Sequence, residues 1–247
     1  MVYEPQYEHR FYRNLPKNRK LNQFSIKIME SDLLILCDEN SEKIKNVAKQ
    51  NLRKVRRDIE RYLSQQPIFA TSLEPIAVTD DAPAIAADMA EVGKIWKVGP
   101  MAAVAGAIAE YIGRALLEHV NTVIVENGGD IYARSDEPVY FGLYAGEESP
   151  FKDFLTFAIN AKNGLGICTS SGKVGPSLSF GKADAVVAIH RSASFADAAA
   201  TALANRITNP KNVETIVEKE KKKALLDGMI ACCGDKLGMW GDFELVK

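Results

Sequence analysis

The order of elements along this 247-residue chain predicts an α+β fold made of two similar halves, each an antiparallel sheet with helices packed on one face. Three observations carry that expectation. Runs of alternating or β-branched residues come in pairs separated by turn formers, the signature of hairpins. Stretches with helical spacing sit between those pairs, whereas a doubly wound parallel sheet would alternate strand and helix one by one. The second half then repeats the order of strands, helices and strands without repeating the residues, and no Gly/Ser- or Pro-rich linker divides them. The expected organisation is a basic, aromatic arm over residues 1–22 and a single domain over 23–247, its intimate halves meeting near residue 146.

Phe24–Met29 alternates cleanly, Glu30-Ser31-Asp32 turns it, and Leu33–Cys37 returns, which predicts a hairpin. Ser41 reads as an N-cap. Ile44, Val47, Leu52, Val55, Ile59, Tyr62 and Leu63 follow at helical spacing, so a long amphipathic helix is predicted to about Ser64. Its basic cluster, Arg53, Lys54, Arg56 and Arg57, is read as the solvated face. Two more helices are predicted, from Pro83 to about Glu91 and from Pro100 to Leu117. The latter carries Ala102, Ala103, Ala105, Gly106, Ala107, Ala109 and Gly113, small residues that let a helix lie very close to a sheet or a ligand.

Asn121–Arg134 reads as strand, glycine turn, strand, and Val139–Tyr144 as one strand more. The second half gives strands at Phe154–Ile159, Leu165–Thr169 and Ala183–Ile189. Helices follow at Ser194–Ile207 and Lys211–Lys222. Two closing strands, Leu226–Cys233 and Met239–Val246, are joined through Gly234–Gly238.

The composition is that of an ordinary soluble globular chain, 47% hydrophobic and 26% charged. A net charge of -1 gives no general attraction to nucleic acid or to an acidic membrane. The arm, with Arg10, Arg13, Lys17, Arg19 and Lys20 among Phe11 and Tyr12, is expected to pack over the domain or against a partner subunit, whether a second copy of the chain or another protein, rather than bind RNA. Val98–Ala109, the longest uncharged apolar stretch, is too short to span a bilayer, and no signal peptide is visible. Four scattered cysteines are no disulfide framework, and adjacent Cys232 and Cys233 have Cα atoms only about 3.8 Å apart. A cytoplasmic, reducing location is expected.

Three stretches can carry chemistry, and each also has a plain structural reading. Asn127-Gly128-Gly129-Asp130 either closes a hairpin or lets a ligand approach the backbone. Gly164–Gly172 ends in Thr169, Ser170, Ser171 and Gly172, hydroxyls and turn amides that suit a phosphate or simply a strand end. Within it Cys168 is a nucleophile only if its thiolate is stabilised, and otherwise an inert buried residue. Asp197 and Thr201 lie four apart on one helix face, two hard oxygen ligands suited to Mg²⁺ beside waters and phosphates. Against that, Ser194 with Asp197 three residues on is a capping-box pattern. Asp184 and His190 share one face of a strand, with Ser177 or Ser179 to complete a hydrolytic triad, but no motif supports it.

Taken in order, Asn127–Asp130, Thr169–Gly172 and Ala196-Asp-Ala-Ala-Ala-Thr201 resemble the Gly-Gly-Asp/Asn turn, Thr-Ser-Gly turn and Ala-Asp-Ala-x-x-Thr helix of the ApbE superfamily of flavin transferases. The resemblance covers about residues 90–207. It implies a T-fold-like duplication of antiparallel α+β halves and Mg²⁺ at Asp197 and Thr201. It also implies a flavin-dinucleotide (FAD) pocket lined by Gly128, Gly129, Asp130, Thr169, Ser170, Ser171 and Gly172. Two family features are missing. Gly175–Asp184 stands where a His-x-x-Asp-Pro-x-Thr-Gly segment is expected, and Val98-Gly-Pro-Met-Ala-Ala where Gly-x-x-Lys-Gly is expected. The chain therefore resembles the cytoplasmic branch found in archaea and some anaerobic bacteria. That branch implies a role in homocysteine biosynthesis from aspartate semialdehyde and sulfide, with partner enzymes of sulfur assimilation; the alternatives are a Mg²⁺-dependent FMN transferase acting from FAD on a protein, and a non-enzymatic carrier or accessory subunit. In that case Cys168, Cys232 and Cys233 are the residues to suspect of handling sulfur.

Overall fold

In the computed structural model, residues 21–146, 149–151, 155–171 and 181–246 are described. The arm over 1–20, Gly172 and most of the Gly175–Asp184 segment lie outside them. In chain order the strands are β1 (Asn22–Ile28), β2 (Ser31–Cys37), β3 (Val123–Asn127), β4 (Asp130–Arg134), β5 (Val139–Leu143), β6 (Leu155–Ile159), β7 (Leu165–Ser170), β8 (Ala185–His190), β9 (Gly228–Cys233), β10 (Lys236–Gly241) and β11 (Phe243–Val246). Eight of them form one antiparallel sheet in the order β1-β2-β3-β4-β7-β8-β9-β10, and the other three a small sheet, β11-β6-β5. Four strands from each half of the chain thus meet at the β4–β7 pair, Ile131 opposite Ile167.

The helices are α1 (Glu42–Gln65), α2 (Pro67–Thr71), α3 (Ala84–Trp96), α4 (Val104–Leu116), α5 (Ala193–Arg206) and α6 (Val213–Lys223). They cover one face of the large sheet. Val123, Val125, Tyr132, Cys168, Val186, Ala188, Met229 and Cys233 pack there against α1 through Leu52 and Ile59, α4 through Ile112, and the alanines of α5. The small sheet covers the other face. Ile124, Ala133, Ile167, Val187, Ile189, Ile230 and Cys232 meet Phe141, Phe157 and Ile159, with Phe141 stacked on Phe157 at 5.4 Å. Strands buried on both faces explain why Val123–Val125 and Ala185–Ile189 read as continuous apolar runs.

The α+β, antiparallel architecture is the one predicted, with four local corrections. The stretch from Pro100 opens with a 3-10 turn, Pro100–Ala103, before α4 begins at Val104. The last predicted strand is two strands in different sheets, split at Gly241 (φ 140°). The short α2, from Pro67, is an additional helix between the predicted long helix and the one expected from Pro83. The cap of α5 is Ser192, whose Oγ accepts from the Phe195 N–H, rather than Ser194. Ser41, by contrast, caps α1 as expected.

Candidate functional site

The β3–β4 hairpin, the end of β7 and the first turns of α4 and α5 converge above the middle of the large sheet. Asn127 pairs with Asp130, leaving Gly128 (φ 70°) and Gly129 (φ 104°) as a two-residue turn in which both residues need positive φ. A Cβ on Gly129 would meet nothing within 4 Å, so the turn borders open space. The Asn127 amide donates to the Ala105 carbonyl at 3.1 Å, tying the hairpin to the start of α4.

Alternation along the strands turns Asp130, Cys168 and Ser170 toward the helices and Thr169 toward the small sheet. Asp130 is buried and accepts the Thr169 N–H at 3.2 Å. Asp197 is buried as well and accepts the Gly106 N–H at 2.9 Å. Burial pushes the Asp130 carboxyl well above the usual range, and the nearby Asp197 charge adds to it. Burial likewise pushes Asp197 up to about 7, against the lowering effect of the Gly106 and Ala105 amides. The Asp197 carboxyl is near enough for its charge to oppose ionisation of Asp130, and carboxylate oxygens are hard ligands of the kind a divalent cation takes.

The Ser170 hydroxyl, buried beneath the helix layer, has no hydrogen-bond partner among the described residues. Ser171 donates to the Asp184 carbonyl at 2.7 Å. Thr201, half-buried, lies one turn beyond Asp197 on α5. Among the described residues no three His, Cys, Asp or Glu side chains cluster as a closed metal cage. Mg²⁺ needs none, since one or two carboxylates with waters and ligand phosphates suffice. The hard oxygens of Asp130, Asp197, Ser170 and Thr201 fit that requirement by their chemistry.

Cys168 is wholly buried and donates to the Ala193 carbonyl at 3.3 Å. Burial first, then the charges of Asp130 and Asp197, push its thiol well above the ordinary cysteine range. It rests as a thiol, the opposite of an activated nucleophile. Cys232 and Cys233 are buried on opposite faces of β9, one in each core, so they do not act as a vicinal pair. Asp184 accepts the Gly234 N–H at 2.8 Å, whereas His190 accepts the Ser192 N–H through Nδ1 and stacks on Phe195 at 4.1 Å. These two residues serve different local structures.

Two residues of this region escaped the sequence reading as site residues. In the sequence Gly106 is one small residue among the many of its helix. Glu110, a buried carboxylate on α4, accepts the Ala193 N–H at 2.7 Å. Its one sequence signal is an acid on an otherwise alanine- and isoleucine-rich helix face.

The profile of the family described as AbpE bacteria matches residues 13–225. The UPF0280 protein of Methanococcus aeolicus is 41% identical over 229 residues, covering 90% of this chain and 91% of the relative. That of Methanocaldococcus jannaschii is 42% identical over 227 residues, covering 89% and 91%. Among solved structures, the flavin transferase ApbE from Vibrio cholerae matches with a TM-score of 0.62 at 12% identity, over 89% of this chain and 96% of that one. The apo flavinyl transferase ApbE of Pseudomonas stutzeri matches with a TM-score of 0.56 at 14% identity, over 90% and 94%. At such identities the likeness is one of fold.

Proposed function

The chain belongs to the AbpE bacteria family, in the ApbE-like branch represented by the archaeal UPF0280 proteins, and from that membership we propose that it binds a flavin dinucleotide or related phosphate-bearing ligand together with Mg²⁺. The observation that carries the reading is the pair of buried carboxylates, Asp130 and Asp197, both pushed toward the protonated form beside a glycine turn that borders open space. A bound Mg²⁺ would neutralise them and polarise ligand phosphate oxygens. Asp197 and Thr201 would hold the cation from α5 and Asp130 from β4. Ser170 and the Gly128-Gly129 backbone would face the ligand. Calorimetric titration with FAD, with and without Mg²⁺, tests this. Binding that requires Mg²⁺ in the wild type and is lost in Asp197→Ala supports it, and equal binding by the two proteins overturns the metal assignment.

The step served is, on the resemblance to the archaeal branch, a cytoplasmic one in sulfur amino-acid metabolism with homocysteine as product. Turnover of aspartate semialdehyde and sulfide by the protein with its partner enzymes is the assay for it. A second reading, Mg²⁺-dependent transfer of FMN to a protein threonine, is supported by the fold shared with the two flavin transferases. Flavin attached covalently to a threonine-containing acceptor would promote it.

A further inference from the structure

Helices α4 and α5 run past each other in opposite senses and touch at Gly106. A Cβ there would lie 2.4 Å from the Ala193 carbonyl oxygen and 2.8 Å from the Asp197 Cβ. At this crossing each helix caps the other. The N-cap of α4 is Ala103, whose methyl offers no acceptor, and Asp197 of α5 accepts the buried Gly106 N–H instead. Glu110, one turn further along α4, returns the contact. Its Oε2 accepts the Ala193 N–H at 2.7 Å, the Ser194 N–H at 3.3 Å and the Ser192 hydroxyl at 2.9 Å. Its Oε1 accepts from Arg114 Nη2 at 2.7 Å and Nε at 2.9 Å.

Gly106 and Glu110 are four apart on α4, Ala193 and Asp197 four apart on α5, so the two contacts sit one helical turn from each other. The start of α5 already has a local cap in Ser192. A buried carboxylate gathering five donors from two helices does more than end a helix; it fixes the register of α5 on α4. We propose that Glu110 is a positioning residue for the cation site, acting through α5 to hold the Asp197 carboxylate at the start of α4, where it accepts the Gly106 N–H. This rests on the reading of Asp197 as a cation ligand.

The test is titration of Mg²⁺ into wild type, Glu110→Gln and Ile59→Ala in the presence of FAD, with the melting temperature of each recorded. Ile59 belongs to the helix-side core on α1 and takes no part in the Gly106–Asp197 or Glu110–Ala193 hydrogen bonds, so Ile59→Ala reports the effect of lost stability alone. Glu110→Gln is expected to weaken Mg²⁺ binding by about 10- to 100-fold, with FAD affinity recovering at saturating Mg²⁺. Ile59→Ala is expected to melt lower with its Mg²⁺ affinity unchanged. Where Glu110→Gln does not fold, Glu110→Asp keeps the charge on a shorter arm and is expected to show an intermediate Mg²⁺ affinity. A Glu110 variant that melts lower yet binds Mg²⁺ like wild type overturns the positioning role and leaves the proposed function standing. A wild type with no Mg²⁺-dependent binding overturns both.

Discussion

At the scale of single residues the site is governed by the cost of burying charge. Asp197 is pushed from the usual 3.8 up to about 7 by burial. In the cation-free protein the folded state therefore holds a proton that the unfolded chain gives up above about pH 4, so this group lowers stability as pH rises from about 4 to about 7. Melting temperatures taken across that window without Mg²⁺ should fall less steeply in Asp197→Asn than in wild type, and Mg²⁺ should flatten the wild-type slope. Identical slopes would mean that Asp197 ionises freely. The missing Cβ of Gly106 is what lets α4 touch α5. Gly106→Ala must push the helices apart and should destabilise by about 1–3 kcal/mol, measured by chemical denaturation, while weakening Mg²⁺ binding. The i, i+4 spacing of Asp197 and Thr201 was visible in the sequence. That Asp197 would lean on a glycine amide 91 residues earlier was not, because a backbone donor leaves no mark in the residue types.

Among the elements, the β3–β4 hairpin was legible because β-branched residues on one side and Asp-Ile-Tyr on the other bracket two glycines. Its turn also separates the two readings left open there. Gly129→Ala places a methyl at φ +104° in open space, so the added strain is purely backbone, on the order of 1–2 kcal/mol. If a ligand approaches this backbone, FAD affinity should drop by more than the stability loss explains at a temperature where the variant is fully folded. Unchanged affinity would reduce the turn to a plain hairpin. Helix α5 shows where such reading fails. Ser192 and Ser194 are both good caps two residues apart, and the choice between them is made by Glu110, whose partners lie 82 to 84 residues along the chain. Long-range side-chain capping of this kind has no local signature.

For the whole molecule, the sequence order predicted helices on one face of antiparallel sheets in two halves; the halves join into one eight-stranded sheet, and the unanticipated part is what covers its other face. The small sheet was hidden because β11 follows β10 after a single residue, Asp242, and the two read as one strand. The chain leaves one sheet for the other at Gly241, whose φ of 140° is a conformation that side chains rarely adopt. A Cβ there would lie 2.6 Å from the Phe243 ring and 2.9 Å from the Gly228 Cα. Phe243 in turn packs edge-on against Phe157 in the centre of the small sheet, at 5.4 Å. Gly241→Ala should therefore loosen the seam between the layers, lowering stability by about 1–3 kcal/mol as read from the denaturant midpoint. The carboxylates lie on the helix-covered face of the same sheet, so Mg²⁺ and FAD affinities should stay at wild-type values wherever the variant is folded. A parallel loss of affinity would mean that the two faces are mechanically coupled and that the small sheet helps to set the geometry of the site.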